Sequence, residues 1–340
     1  LGIIHKEVRN ASNNYYYRRV VTQVKIYQDW HGLGQFHQNL VLGLGNFDGL
    51  HLGHRRLIAS LVNKAEETGG TAAVFTFYPH PLAVLRPGQA PPLLMTREIK
   101  QEMLAVLGVK VLLEVPFTSQ FAAIEPQEFV TGVLVRELAV QHVFAGYNYT
   151  FGQGGRGDAQ LLQAAGRQHG FGVHIVPPVM VDDVPVSSTL VRQLLTDGEV
   201  EAAARYLGYS PFLEGRVVAG EQRGRLLGFP TANIELPAGL LVPANGVYAV
   251  KIRLGKEIYP GVANIGTKPT FHAAGSERTF EVHILDFAGD IYGERVRVFF
   301  RRRLRGEQRF ASVDQLVEQI HRDIALTREL SGHNFQREVI

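Results

Sequence analysis

Two histidines, His51 and His54, stand in a run of small and polar residues: Gly45, Asn46, Phe47, Asp48, Gly49, Leu50, His51, Leu52, Gly53, His54. Before it, residues 41–47 form a short apolar stretch. After it, residues 54–68 carry Leu57, Ile58, Leu61, Val62 and Ala65 on one helical face. The run is therefore expected at a strand–loop–helix junction, where open α/β sheets bind ligands and helix N-termini favour anions. Gly49 and Gly53 let backbone approach a phosphate closely, and each imidazole can offer it a ring N–H. Nucleotidyl transfer asks for alignment and for stabilisation of the charge that develops on departing pyrophosphate, and two imidazoles at a helix start suit it. The expectation is a nucleotide-phosphate site in an ATP-using enzyme. Either histidine alone would read as a core residue. A metal site competes, but beyond Asp48 it lacks an obvious third ligand nearby.

Two further pieces could serve the same chemistry. Val186, Ser187, Ser188, Thr189, Leu190, Val191 and Arg192 open a helix. Ser187 or Ser188 can cap it, and the same N–H groups with Thr189 and Arg192 could hold a triphosphate tail. Gly146, Tyr147, Asn148, Tyr149, Thr150, Phe151 and Gly152 run on to Gly155, Arg156, Gly157 and Asp158. In that loop Asn148, between aromatics, could read a base edge or brace a phosphate.

A different pattern occurs later, in Gly224, Arg225, Leu226, Leu227, Gly228, Phe229, Pro230, Thr231, Ala232 and Asn233. On an extended segment Thr231 and Asn233 project from one face. Their oxygens could complete a Mg²⁺ shell already supplied with phosphate oxygens, although a β-turn of ordinary polar residues fits as well. Glu281 alternates with Phe280 and Val282 and points away from the apolar face. It is either solvated or a base that accepts a proton from an attacking hydroxyl. The basic run Arg301, Arg302, Arg303 and Arg305 reads first as a solvated strand end and second as a site for anionic phosphates on a small substrate.

These residues need elements to hold them. Strand-like stretches at 71–77, 109–115, 142–145 and 171–176 alternate with helical ones. Thr96 and Asp158 are placed to cap two of the helices, and Phe129, Val130, Val133, Leu134 and Leu138 mark another. This order implies right-handed crossovers and a mostly parallel sheet. After about residue 207 the texture changes to short β-rich pieces over 212–310, among them Tyr248, Val250, Ile252 and Leu254 alternating with Ala249, Lys251 and Arg253. A small antiparallel barrel or sandwich follows, closed by a helix that Ser312 caps. The expected fold class is α/β plus β: a doubly wound parallel-sheet domain at 23–207, a linker at 208–211, and a small barrel with a terminal helix at 212–340. Residues 1–22, polar and tyrosine-rich, read as a poorly ordered extension or as sequence upstream of the natural start.

With 340 residues, two cores are expected rather than one. The chain has no cysteine, which excludes disulfides, thiolate metal sites and a cysteine nucleophile. No stretch reaches the roughly 18 consecutive apolar residues of a membrane span. A net charge of +3 is too weak to argue for nucleic acid. The expectation is a cytoplasmic enzyme, monomeric or weakly homo-oligomeric, without nucleic-acid or membrane partners.

The first three pieces together resemble the FMN adenylyltransferase module of bacterial bifunctional riboflavin kinase/FAD synthetases, a branch of the nucleotidylyltransferase superfamily, over about residues 24–207. The resemblance implies a doubly wound domain that joins AMP from ATP to FMN. By position it gives His51, His54, Ser188, Thr189 and Arg192 contacts to ATP phosphates. It assigns ATP binding to Gly45, Phe47, Asp48, Gly49 and Gly53, and puts Asn148 at the reacting centre beside the flavin. The later pieces are similar to riboflavin kinase over about residues 212–323. They include Pro243, Ala244, Asn245, Gly246, Val247 and Tyr248; Gly261, Val262, Ala263, Asn264, Ile265 and Gly266; Pro269, Thr270 and Phe271; and Leu304, Arg305, Gly306 and Glu307.

That second likeness implies a Greek-key barrel transferring the γ-phosphate of ATP to the ribityl 5′-hydroxyl. In it Thr231 and Asn233 would hold Mg²⁺ and ATP, with Gly224 and Gly228 beside them. Glu281 would be the general base and Arg305 part of the flavin loop. Lys268 stands where arginine is common in that family, which keeps charge and loses bidentate geometry. The implied small molecules are riboflavin, FMN, FAD, ATP and Mg²⁺. Two alternatives stay open: an adenylyltransferase for another acceptor, such as a pantetheine phosphate or nicotinamide mononucleotide, fused to an unrelated barrel, and a flavin-binding regulator or nucleic-acid-binding protein that has lost catalysis.

Overall fold

Six short apolar segments pair in parallel to form one sheet: β1 (Lys25–Tyr27), β2 (Leu40–Leu44), β3 (Thr71–Tyr78), β4 (Val111–Pro116), β5 (His142–Gly146) and β6 (Gly172–Val176), in the order β1-β4-β3-β2-β5-β6. The computed structural model describes residues 23–220, 223–269 and 276–331. The expectation for residues 1–22, the side chain of Lys268, and Thr270 with Phe271 lie outside what it describes. Every residue of β2 is buried, as a central parallel strand covered on both faces must be. From β2 the chain moves outward through β3 and β4 on one side and through β5 and β6 on the other. The sheet therefore reverses direction between β2 and β5, and such a switch point opens a crevice at the C-terminal strand ends.

The expected helices largely appear. Leu52–Glu67 buries Leu57, Ile58, Leu61, Val62 and Ala65, the face read from spacing. Thr96 Oγ1 accepts from the Ile99 N–H, and Asp158 Oδ1 from the Leu161 N–H. The helix through Phe129–Glu137 is wound wider than expected, as a π-helix whose Leu138 N–H reaches back to the Val133 carbonyl. The edge strand β1 and a small hairpin, β7 (Met180–Val181) with β8 (Val184–Pro185), had no sequence signal because they are too short to show a period.

Beyond Gly208 come β9 (Phe212–Val218), β10 (Ala232–Glu235), β11 (Gly246–Leu254), β12 (Glu257–Pro269), β13 (Ser276–Ile284) and β14 (Arg295–Arg305). They close into a barrel in the order β10-β13-β12-β11-β14-β9. All its pairings are antiparallel. The alternation read in β11 implied a solvated outer face, yet both faces are buried from Gly246 through Ile252. The terminal helix Val313–Ser331 lies against β11 and β12, which helps cover the outside. Lys251 is left 4% exposed, and burial lowers its pKa to about 8.

The two halves share packing. Val191, Leu195, Val200, Ala203 and Leu207, from the helices Ser188–Asp197 and Val200–Leu207, join the barrel's apolar cluster. Phe212 and Phe299, from the barrel, join a cluster of the sheet. Arg297 of β14, 3% exposed, donates to Glu214 of β9 and to Glu102 of the helix Arg97–Val106, over the ring of Phe212.

Breaking a buried pair leaves charge without compensation. Arg297→Met should lower the unfolding free energy by about 3 kcal/mol in urea melts, the low end of that class because Glu102 can still hydrate. Arg328→Ala, which removes the exposed pair with Asp286, should change it by less than about 1 kcal/mol.

Candidate active sites

At the switch point lies a cavity of about 930 Å³. Its walls are the loop after β2, the segment after β3, the loop after β5 and the start of the helix Ser188–Asp197. Gly45, Phe47, Asp48, His51, Gly53, His54, Asn148, Ser188, Thr189 and Arg192 all line it, so the fold brings three distant pieces of sequence to one space. Gly49 does not line it. Its φ of +81° and the 2.6 Å that would separate an added Cβ from Leu94 make it a turn residue behind the wall.

His51 is the N-cap of the helix Leu52–Glu67, and its Nδ1 accepts the His54 N–H at 3.3 Å. The two rings stack with centroids 3.7 Å apart, and Phe47 meets His54 edge-on. Burial lowers the His51 pKa to about 4 and holds His54 well below its ordinary value, with His51 and Lys100 adding to the effect. Both rings are therefore neutral at physiological pH. With Nδ1 of His51 spent on the cap, its proton sits on Nε2, the nitrogen left to donate.

The loop before His51 is tightly tied. Asn46 O accepts from Thr76 Oγ1 (3.1 Å) and from Lys100 Nζ (3.2 Å). Asp48, buried, accepts the Leu94 N–H and pairs with Arg192 at 2.5 Å, while Ser188 Oγ donates to the Asp48 carbonyl at 2.9 Å. Arg192 Nε also donates to Pro92 O at 2.8 Å. Asp48, Ser188 and two nitrogens of Arg192 thus hold the wall together. Ser187, not Ser188, caps its helix through the Leu190 N–H.

On the barrel, Ala232 and Ile234 face inward, and Thr231 and Asn233 face the other way as their spacing implied. Asn233 lies opposite Glu281 in the β10–β13 register, and Thr231 Oγ1 stands 3.5 Å from Glu281 Oε2. An added Cβ at Gly220 would meet the Asn233 amide at 2.0 Å, and one at Gly224 would meet Phe229 O at 2.4 Å, so backbone closes in around these side chains. Gly228 is a left-handed turn (φ +86°) with open space beside it. His283 donates from Nδ1 to Pro230 O at 2.8 Å and fixes the segment to β13.

In the arginine run only Arg302 stays exposed as a solvated strand end would, and the others are tied to neighbouring groups. Arg301 reaches Ser210, Arg302 pairs with Glu201, and Arg303 donates to the carbonyls of Asp197 and Asn245. Arg305 binds the buried Asp323 of the terminal helix at 2.9 Å and lies over Phe310. Sequence reasoning missed His80, which lines the first cavity and accepts the Leu82 N–H on Nδ1. Its setting between Pro79 and Pro81, just after a strand, was the available signal. The aromatic side of that cavity, Phe77, Phe117, Phe121 and Phe129, was also missed because its members are scattered along the chain.

A histidine held neutral in the folded state and free to protonate in the unfolded one removes stability as pH falls from about 6.5 towards the folded value near 4. Relative to His51→Gln, the native chain should lose on the order of 3 kcal/mol more across that window, measured by denaturant melts at stepped pH.

A family model described as FAD synthetase matches residues 34–190, and one described as riboflavin kinase matches residues 207–331. The bifunctional riboflavin kinase/FMN adenylyltransferase of Escherichia coli (strain K12) is 42% identical over 311 residues, 91% of this chain and 98% of that one. The enzyme of the same name from Bacillus subtilis (strain 168) is 39% identical over 287 residues, 83% of this chain and 90% of that one. A crystal structure from Streptococcus pneumoniae, titled as a macrolide-efflux protein, superposes with a TM-score of 0.81 at 34% identity, covering 90% of this chain and 99% of that one.

Proposed function

The chain belongs to the family of bifunctional riboflavin kinase/FMN adenylyltransferases, and on that premise we propose how its residues divide the two reactions. The enzyme makes FMN and ADP from riboflavin and ATP, and FAD and pyrophosphate from FMN and ATP. The pneumococcal structure bears an efflux title, whereas both halves of this chain match cofactor-synthesis families.

Adenylyl transfer is assigned to the cavity at the switch point, and the observation that carries this is the meeting of three separate sequence pieces there. The phosphate oxygen of FMN attacks the α-phosphorus of ATP, and pyrophosphate leaves. His51 and His54 would donate ring N–H groups to the phosphates. The Thr189 hydroxyl and the helix start at Ser188 would meet the triphosphate tail, with the Asp48–Arg192 pair holding the wall. Asn148, exposed in the loop after β5, would face the reacting centre. Neither reaction needs a covalent enzyme intermediate.

Phosphorylation is assigned to the Thr231–Asn233–Glu281 face of the barrel. Glu281 would take the proton of the ribityl 5′-hydroxyl as that oxygen attacks the γ-phosphorus, and ADP leaves. A hydroxyl and an amide oxygen on one face are hard donors that suit Mg²⁺, which keeps water and phosphate oxygens in the rest of its shell. Bound there, the ion would neutralise phosphate charge. Arg305, tied to Asp323, would set the start of the loop after β14 against the flavin. The reading sets the work in the cytoplasm, where a chain without cysteine loses nothing to reducing conditions.

Purified protein given riboflavin, ATP and Mg²⁺ should yield FMN and then FAD by chromatography. His51→Ala combined with His54→Ala should stop at FMN, with at least ~10²-fold loss in the second step. Glu281→Gln should block FMN formation and leave FMN-to-FAD conversion intact. Loss of both activities from either change in a folded protein would refute the division. Chelation of Mg²⁺ should halt both steps, and added MgCl₂ should restore them.

A further inference from the structure

The loop that delivers His51 adopts a backbone that its sequence does not favour. Phe47, Gly49 and Leu50 all have positive φ, at +52°, +81° and +37°. Non-glycine residues hold such angles only where their surroundings over-determine them. The Asn46 and Asp48 carbonyls are held by Thr76, Lys100 and Ser188. The Gly49 carbonyl, two residues before the cap, is held by a group outside the sheet: Tyr209, in the connection to the barrel, donates its hydroxyl to it at 2.6 Å. Burial raises the phenol pKa, so the hydroxyl keeps the proton it donates.

The same connection grips the first turn of the following helix. Arg55, whose N–H closes that turn on His51 O at 2.9 Å, lies over the Tyr209 ring at 5.9 Å and reaches the Gly208 carbonyl at 3.4 Å. An added Cβ at Gly208 would stand 2.5 Å from Leu52. From the other side Tyr209 packs against Phe212, the first residue of β9.

We infer that Tyr209 is a positioning residue for adenylyl transfer, and that the sheet–barrel connection, through the Gly49 carbonyl, sets the His51–His54 loop in its anion-binding form. This rests on the reading of His51 and His54 as phosphate donors. Without the hydroxyl the loop spends only part of its time in that form. The apparent affinity for ATP falls by the inverse of that fraction, and saturating ATP restores it.

The test is Tyr209→Phe in the full chain, which keeps the ring and its packing. The ATP KM of FMN adenylylation should rise by at least about 2-fold and at most about 10-fold, the ceiling set by one lost neutral hydrogen bond, with kcat within about 2-fold. The kinetics of riboflavin phosphorylation should not change. An unchanged ATP KM in Tyr209→Phe overturns the inference, as does a kcat loss at constant KM or an equal loss in both activities. The His51→Ala/His54→Ala chain is assayed alongside. If it retains adenylyl transfer, the underlying reading fails and the inference with it; if it loses that step while Tyr209→Phe is unchanged, the inference alone fails.

Discussion

The constraint on which the first site depends is the conformation of six residues, 46 to 51. Left-handed backbone at Phe47 and Leu50 costs on the order of 1–3 kcal/mol each. What offsets it is burial and hydrogen bonding. Both side chains are fully buried, and the carbonyls of Asn46, Asp48 and Gly49 all have donors from elsewhere in the chain. The carboxylate of Asp48 takes a backbone N–H and a guanidinium besides. A loop held at so many points arrives at its ligand already in shape, so ordering it consumes little binding energy.

Keeping the two histidines neutral follows from the same constraint. Capping requires Nδ1 of His51 to be unprotonated, and the stacked ring of His54 makes a second charge at 3.7 Å unfavourable. Two imidazolium ions would attract the triphosphate strongly before reaction as well as during it, which tightens ground-state binding without raising kcat. In the role proposed for them, neutral N–H donors in a buried wall contribute most where charge develops on the departing pyrophosphate.

The sequence revealed this strand–loop–helix geometry well because its parts are local. A strand, four glycines, two histidines and a helical face lie within 27 residues (41–67), and their spacing carries the geometry. That a serine caps the helix, though not which of the two, and that Thr231 and Asn233 share an outward face were legible for the same reason, since each depends on one or two neighbours. What stayed hidden was set by contact across the chain. Nothing at residues 301–305 announces that Arg303 caps carbonyls or that Arg305 belongs to Asp323. Lys251 has the spacing of an outward-facing residue, and its burial depends on what covers the barrel. The aromatic side of the cavity collects Phe77, Phe117, Phe121 and Phe129 from the end of β3, the segment after β4, a short helix and the π-helix, a juxtaposition no periodicity encodes.

The same long-range contacts explain why the two halves form one body and not two beads on a string. The helix Ser188–Asp197 offers its first turn to the cavity at the switch point and its last turn to the barrel. The Ala244 N–H donates to Leu195 O at 3.0 Å and Arg303 to Asp197 O at 3.2 Å, while Ser188 at the other end holds Asp48. A second tie runs beside it. Leu93 exchanges backbone hydrogen bonds with Gly239 and Leu241, and its neighbours Pro92 and Leu94 serve Arg192 and Asp48. A ten-residue helix is stiff on this scale, so a displacement of the barrel against its C-terminal end moves the N-terminal end as well. The barrel is therefore part of the scaffold of the cavity proposed for adenylyl transfer, in addition to the kinase role proposed for its own face.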